Sequence, residues 1–227
     1  MALRSNVGEP VMGSIHINYN TFSEQQYRKY LDYIPRGTRT VFDVGFGRGE
    51  FLLALKARGY TVSGCDVDEN LVRWAERRGL DVKLGCAENL SQVTGPVDLV
   101  TCLHVLEHLD SPLAALREFC KATRRYVLIA VPNAYAKLPE IGSHLYSFNH
   151  QTLMNLAGRA ELEPVRVSGE FINVLPNVLR FTPGVSRLLI GLMYGSNELV
   201  GLFKKGGGFG PSRGVGEPVN GSHNVSV

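Results

Sequence analysis

The sequence predicts an α/β fold: a mostly parallel seven-stranded sheet covered by helices on both faces, making three layers, with the last strand antiparallel. Three observations carry this. From residue 40 to 131, short apolar or β-branched runs alternate with amphipathic helical runs, as a parallel sheet requires. Two of those runs, Val97–Leu103 and Tyr126–Val131, are apolar nearly throughout, the composition of strands buried on both faces. The stretch Val41-Phe42-Asp43-Val44-Gly45-Phe46-Gly47-Arg48-Gly49-Glu50-Phe51 reads as a strand, a glycine turn and a helix start. Glycine there lets the backbone turn sharply and lie against a ligand with no side chain between them. The helix start adds free N–H groups and the positive end of a dipole.

In chain order, residues 1–20 carry no clear period and are expected to be mobile. Ser23-Glu24-Gln25-Gln26 has the form of a capping box and predicts a helix through Tyr33, with Tyr27, Tyr30, Leu31 and Ile34 on its apolar side. Pro35 and Gly37 end it. The first strand is Thr40–Val44, and the helix Glu50–Arg58 runs to Gly59. A second strand, Thr61–Cys65, ends at Asp66. The helix Glu69–Arg78 stops at Gly79, and Val82–Leu84 is a short third strand. After the fourth strand, Val97–Leu103, Ser111-Pro112 opens the helix Leu113–Ala122 with proline in its first turn. The fifth strand, Tyr126–Val131, is closed by Pro132-Asn133. Beyond a loop with Pro139 and Gly142 come the helix His150–Ala160 and a strand at Glu163–Ser168. From Phe171 to Asn197 the pattern changes to apolar residues broken by Pro176, Pro183 and Gly184, an expected insertion or substrate cap. Leu199–Lys204 returns as the last strand. Residues 206–227 hold seven glycines and two prolines and are expected to be disordered. The domain therefore spans 21–205.

The totals agree with one domain. The chain has 227 residues, 44% of them hydrophobic, and a net charge of +3. Residues 165–227 hold six basic against three acidic side chains, too small an excess to argue for nucleic acid. Leu188–Phe203 is interrupted by Gly191, Gly195, Asn197 and Glu198, so it is not read as a membrane span, and the first residues lack a secretion signal. Cys65, Cys86, Cys102 and Cys120 form no C-x-x-C pair and are expected to be reduced core thiols. No metal site is predicted, and a cytoplasmic protein is expected. Val7-Gly-Glu-Pro-Val-Met-Gly-Ser14 recurs as Val215-Gly-Glu-Pro-Val-Asn-Gly-Ser222, identical at seven of eight positions. No function is assigned to that repeat.

Spacing narrows the ligand. A dinucleotide fingerprint, Gly-x-Gly-x-x-Gly, would put its third glycine at position 50, where Glu50 stands. Here the pattern is Asp43-x-Gly45-x-Gly47-x-Gly49, and no Gly-Lys-Ser/Thr of a P-loop follows. Asp66, at the end of the second strand, is placed to accept two hydrogen bonds from a ribose diol. A ribose-bearing ligand without a pyrophosphate fits both features.

At these residues the chain resembles the class I S-adenosylmethionine-dependent methyltransferases. Asp43–Gly49 matches their first motif, and Ser63-Gly64-Cys65-Asp66-Val67-Asp68 matches the acidic end of their second strand. The segment Val97–Leu109, above all Val105-Leu106-Glu107-His108-Leu109, is similar to the ubiquinone-biosynthesis O-methyltransferase branch. The likeness covers about residues 38–168. It implies a Rossmann-like three-layer sandwich and S-adenosyl-L-methionine as cofactor. It also implies that Gly45, Gly47 and Gly49 pack against the methionine half and that Asp43 fixes the loop and helps hold the amino group. Asp66 would bind the ribose hydroxyls, Val67 would pack on the adenine, and Leu103 would line the sulfonium region. The chain departs from the family after the third strand, where Gly85-Cys86-Ala87-Glu88 puts Cys86 at the place of an Asp. The Ala87 N–H, Glu88 or water must then meet the adenine amino group.

The sulfonium methyl is already activated, so the enzyme chiefly aligns nucleophile, carbon and sulfur. A hydroxyl acceptor also needs a base, and histidine is suited to it. His104 follows the fourth strand, and His144 and His150 flank Tyr146-Ser147-Phe148-Asn149; one of the three is expected to be the base. The acceptor is expected to be a small molecule, a sugar or a lipid. Arg180, Arg187, Lys204 and Lys205 beside the apolar 171–197 stretch suggest a peripheral membrane contact through 171–205. Two alternatives stand beside this reading: an NAD-type oxidoreductase, and a catalytically silent cofactor-binding partner subunit.

Overall fold

The computed structural model describes residues 24–91, 93, 95–134, 143–170 and 198–207. The expectations for residues 1–20, for the 171–197 insertion, for 208–227 and for the repeated octapeptide lie outside the described residues.

Helix α1 (Glu24–Leu31) precedes a regular alternation: β1 (Thr40–Val44), α2 (Glu50–Lys56), β2 (Thr61–Asp66), α3 (Glu69–Glu76), β3 (Asp81–Leu84) and β4 (Val97–Leu103). One 3₁₀ turn, Leu106–His108, leads to α4 (Pro112–Ala122), β5 (Thr123–Pro132), α5 (His150–Arg159), β6 (Leu162–Glu170) and β7 (Glu198–Lys205). The seven strands form one sheet in the order β3-β2-β1-β4-β5-β7-β6. β1 to β5 pair in parallel, and β7 runs antiparallel to both β5 and β6. The predicted architecture is therefore the observed one.

Alternation along the strands divides the core between the two faces. Val127, Ile129 and Val131 face α4 and α5 with Leu116, Phe119 and Leu153, whereas Leu128 and Ala130 face α1 and α2 with Tyr30, Leu52 and Leu55. Strand ends differ from expectation by one to three residues. β5 begins at Thr123 because pairing with Val97 and, through its hydroxyl, with the Tyr126 carbonyl holds the segment extended despite Arg124 and Arg125. Three cysteines are buried as expected, but Cys86 is exposed, because it lies in the turn after β3 and not in a strand.

Among the described residues no helix is long and apolar enough to cross a membrane. Of the basic residues offered for a membrane surface, Lys204 pairs with Glu163 at 2.8 Å and Lys205 donates to the Thr123 carbonyl at 3.1 Å. Both lie where β7 pairs with the start of β5, the edge opposite the glycine turn.

Candidate active site

The carboxyl ends of β1, β2 and β4 meet at the glycine turn, where the order of connection reverses and a doubly wound sheet opens its ligand crevice. Gly45, Gly47 and Gly49 all adopt positive φ, at 70°, 59° and 71°. The turn is packed on two sides and open on the third. A Cβ at Gly45 would run into Val105, and one at Gly49 would come within 2.8 Å of Leu80, but one at Gly47 meets no atom within 4 Å among the described residues. Gly47 is thus the point where backbone faces free space. The Gly45 N–H is tied to the Cys65 carbonyl at 2.8 Å, and the Gly47 N–H donates to Asp66 Oδ2 at 2.9 Å.

The two predicted acids sit on either side of this turn. Asp43 is buried and accepts a hydrogen bond from the Thr101 hydroxyl at 2.6 Å. Burial pushes its carboxyl up to about 7; the Thr101 bond pulls it down, and the charge of Asp66 adds to the rise. Asp66 Oδ1 accepts from the Asp68 N–H at 3.0 Å. The Val67 N–H also leans on this carboxylate, which is held by backbone donors from the turn and from its own strand end. Helix α3 is capped by Asp68, which accepts from the Asn70 N–H, so Asp66 is not spent as its cap. Next to Asp66, Val67 is 73% exposed, an apolar side chain left uncovered at the crevice. Ala87 is buried against the core, Glu88 is half-buried, and Leu103 packs beside β1 at the end of β4. Residues Asp43, Gly45, Gly47, Gly49, Asp66, Val67, Ala87, Glu88 and Leu103 form a set that fits a ribose-bearing, cationic ligand in chemistry: acceptors for hydroxyls, apolar surface for a base, and carboxylates for positive charge.

The histidines do not behave alike. His104 follows β4 in a left-handed conformation, φ 57°, while its N–H still pairs with the Ala130 carbonyl at 2.8 Å. Its ring lies between two carboxylates, with Nε2 2.9 Å from Glu198 Oε2 and Nδ1 3.6 Å from Glu107 Oε1. Burial alone would lower its pKa, but the hydrogen bonds and charges of Glu107 and Glu198 outweigh that and raise it to about 9. An imidazolium at neutral pH has no lone pair to receive a proton, so the expectation that His104 is a base is not supported by its surroundings. His144 lies against His108, ring centroids 4.8 Å apart at 72°, and desolvation lowers its pKa despite the nearby Glu107. His150 is exposed in the first turn of α5, two residues past the bridge that joins Phe148 to Asn133. The fold thus gathers His104 and His144 around Glu107 and leaves His150 facing solvent.

Sequence reasoning offers Glu107 a substrate role as readily as a structural one and puts Tyr30 in a substrate lid, but it does not single out Glu198 or join the three into one cluster. Glu107 and Glu198 are 1% and 0% exposed. Glu107, His108 and His144 bring one ligand atom each within 4.8 Å of one another, a donor set able to hold a cation. No local spacing announced it, since His144 arrives from the loop after β5. The Tyr30 hydroxyl, carried by α1, donates to Glu198 at 2.9 Å and lies 3.2 Å from His104 Nε2. An acid opening an otherwise apolar strand, as Glu198 opens β7, was the one available signal.

Comparison with known proteins places this geometry. Residues 19–165 match the family model described as "Methyltransferase domain". Over 171 residues the chain is 30% identical to the ubiquinone biosynthesis O-methyltransferase of Thiobacillus denitrificans, covering 64% of this chain and 74% of that one. A S-adenosylmethionine-dependent methyltransferase from Archaeoglobus fulgidus superposes with a TM-score of 0.62 at 21% identity, covering 80% of this chain and 92% of that one. Magnesium protoporphyrin IX methyltransferase from Synechocystis PCC 6803, solved with bound S-adenosylhomocysteine, superposes at 0.59 and 15% identity, covering 80% and 82%. The oxidoreductase alternative falls with the family match.

Proposed function

The chain belongs to the class I S-adenosylmethionine-dependent methyltransferases, and on that premise we propose that it methylates an oxygen of a small-molecule, sugar or lipid-like acceptor, with His144 as the base. The observation that carries the choice of base is the half-buried His144 ring packed edge-on against His108 beside Glu107, where desolvation holds its pKa below the usual value. A neutral ring keeps its lone pair at physiological pH. With the donor bound, its methyl group would pass to the acceptor oxygen with the carbon–sulfur electron pair left on sulfur, and the His144 imidazole would take the hydroxyl proton. S-adenosylhomocysteine leaves as the product. The cofactor supplies the activated methyl group when bound; the chain's residues align it and exclude water.

Oxygen is favoured as the acceptor atom because the Thiobacillus denitrificans relative is named an O-methyltransferase. Leu145 and Tyr146, 58% and 43% exposed next to His144, offer apolar surface to an acceptor. The Tyr146 hydroxyl donates to the Asp110 carbonyl at 3.1 Å, which holds its ring in place. The test begins with S-adenosylhomocysteine release screened against quinone precursors, sugars and lipid-linked acceptors. With the acceptor so found, His144→Ala is expected to lose at least about a hundredfold in kcat while S-adenosylhomocysteine affinity stays within about twofold. A variant with wild-type turnover removes His144 from the mechanism.

A further inference from the structure

The matched family segment ends at residue 165, yet the most deeply buried carboxylate at the reaction edge, Glu198, lies beyond it. Glu198 touches three groups. Lys29 of α1 forms an ion pair with its Oε1, while Tyr30 donates to Oε2 and His104 meets the same oxygen at 2.9 Å. His104 then reaches Glu107 on its other side. The result is a continuous line, Lys29–Glu198–His104–Glu107, running from α1 through the first residue of β7 to the turn after β4.

Two features show that this line is built and not incidental. His104 holds a left-handed backbone, φ 57°, which is strained for a residue that carries a Cβ. Glycine would fill that position without strain, so the imidazole itself is what the position retains. The second feature is at the far end. Glu107 Oε2 is fully buried and has no hydrogen-bond partner among the described residues, although Oε1 is shared between His104 and His108. A buried carboxylate oxygen left in that state is costly unless something from outside the chain completes it. Its neighbours place it on the crevice: Val105, two residues before it, packs on Gly45, and the Glu107 carbonyl accepts from the Leu145 and Tyr146 N–H groups.

The geometry points to Glu198 as a positioning residue of the methyl-transfer site: acting through His104, it fixes Glu107 with one carboxylate oxygen free for the positive centre of the bound donor. This rests on the methyl-transfer reading and adds to it a residue outside the family match. Glu198 itself touches neither donor nor acceptor. It orients the ring that orients Glu107, and Tyr30 and Lys29 make α1 part of the same support.

The test needs no acceptor. Sinefungin carries a protonated amine where the donor carries its methyl group, whereas S-adenosylhomocysteine carries nothing there. The ratio of their affinities therefore reads the field at the transfer point, and S-adenosylhomocysteine alone reports an intact fold and crevice. Calorimetry on the full chain should show Glu107→Gln losing about tenfold in sinefungin affinity relative to S-adenosylhomocysteine, the worth of one charge-assisted hydrogen bond. Glu198→Gln should lose at least about threefold in the same ratio while S-adenosylhomocysteine binding is unchanged. If Glu198→Gln does not fold, Tyr30→Phe, which removes only the bridging hydroxyl, should lower the ratio in the same direction. A ratio that falls in Glu107→Gln but stays at the wild-type value in the Glu198 or Tyr30 variant makes Glu198 a fastener of α1 and overturns the proposal. So does a ratio unmoved in Glu107→Gln. Failure of the wild type to bind S-adenosylhomocysteine at all would instead strike the methyl-transfer reading.

Discussion

Donor binding should strengthen with pH, and Asp43 should be the reason. Its carboxyl is buried beneath the glycine turn and raised to about 7, desolvation outweighing the Thr101 hydrogen bond. S-adenosylmethionine brings a sulfonium and an ammonium group, and either charge nearby favours the carboxylate. Binding therefore ionises Asp43 and releases a proton. With a free value of about 7, and with the bound donor holding Asp43 ionised, the ionised fraction of the free protein rises from about one in eleven at pH 6 to ten in eleven at pH 8. Affinity should rise about tenfold across that interval. His104, held near 9, stays protonated throughout and does not contribute. Calorimetry at pH 6, 7 and 8, in two buffers of different ionisation enthalpy, measures both the affinity and the proton released. The ligand's own titration is common to wild type and variant, so the slope lost in Asp43→Asn is the part due to Asp43. An unchanged slope in Asp43→Asn would refute the reasoning.

The same shift has a consequence for the unliganded protein. A carboxyl raised in the folded state binds its proton more tightly there than in the unfolded chain. Its contribution is therefore fully present below about pH 4 and is lost as pH rises through about 7. At pH 8, Asp43→Asn should raise the Tm of the unliganded protein, by a free energy of at most about 4 kcal/mol; a lowered Tm would contradict this. The glycines separate binding from folding. Gly47→Ala places its Cβ in free space at the crevice, so S-adenosylhomocysteine affinity should fall while Tm drops only by the cost of a left-handed alanine, roughly 1–2 kcal/mol. Gly64→Ala puts a Cβ 2.6 Å from the Asp43 carbonyl oxygen, a backbone atom that cannot turn aside, so its effect should appear first as a loss of folded protein. Equal behaviour of the two variants in melting and binding assays would remove the distinction.

Local chemistry made the sheet and the crevice legible in advance. Apolar runs such as Val97–Leu103 and Tyr126–Val131 are decided by the need to bury side chains on both faces of the sheet. The positive φ at Gly45, Gly47 and Gly49 follows from a strand that must turn into a helix over five residues, and glycine takes those conformations without strain. The support behind the site was not legible. Glu198 and His104 are brought together by antiparallel pairing of β7 on β5, and nothing within ten residues of either announces the other. The histidines show the same limit from another side. Sequence order gave three equivalent candidates, and only the two carboxylates around His104 distinguish a fixed cation from a neutral ring. Cys86 stands beside a predicted strand and is expected in the core, but the turn after β3 leaves it exposed.

The central claim, that this chain transfers a methyl group to oxygen, is most directly tested with a donor labelled with carbon-13 in its methyl group. Incubated with the acceptor panel, the wild type should move the label into a product whose carbon resonates in the methoxy region, and His144→Ala should leave it on the donor. Label recovered as an N-methyl or C-methyl product would contradict the claim.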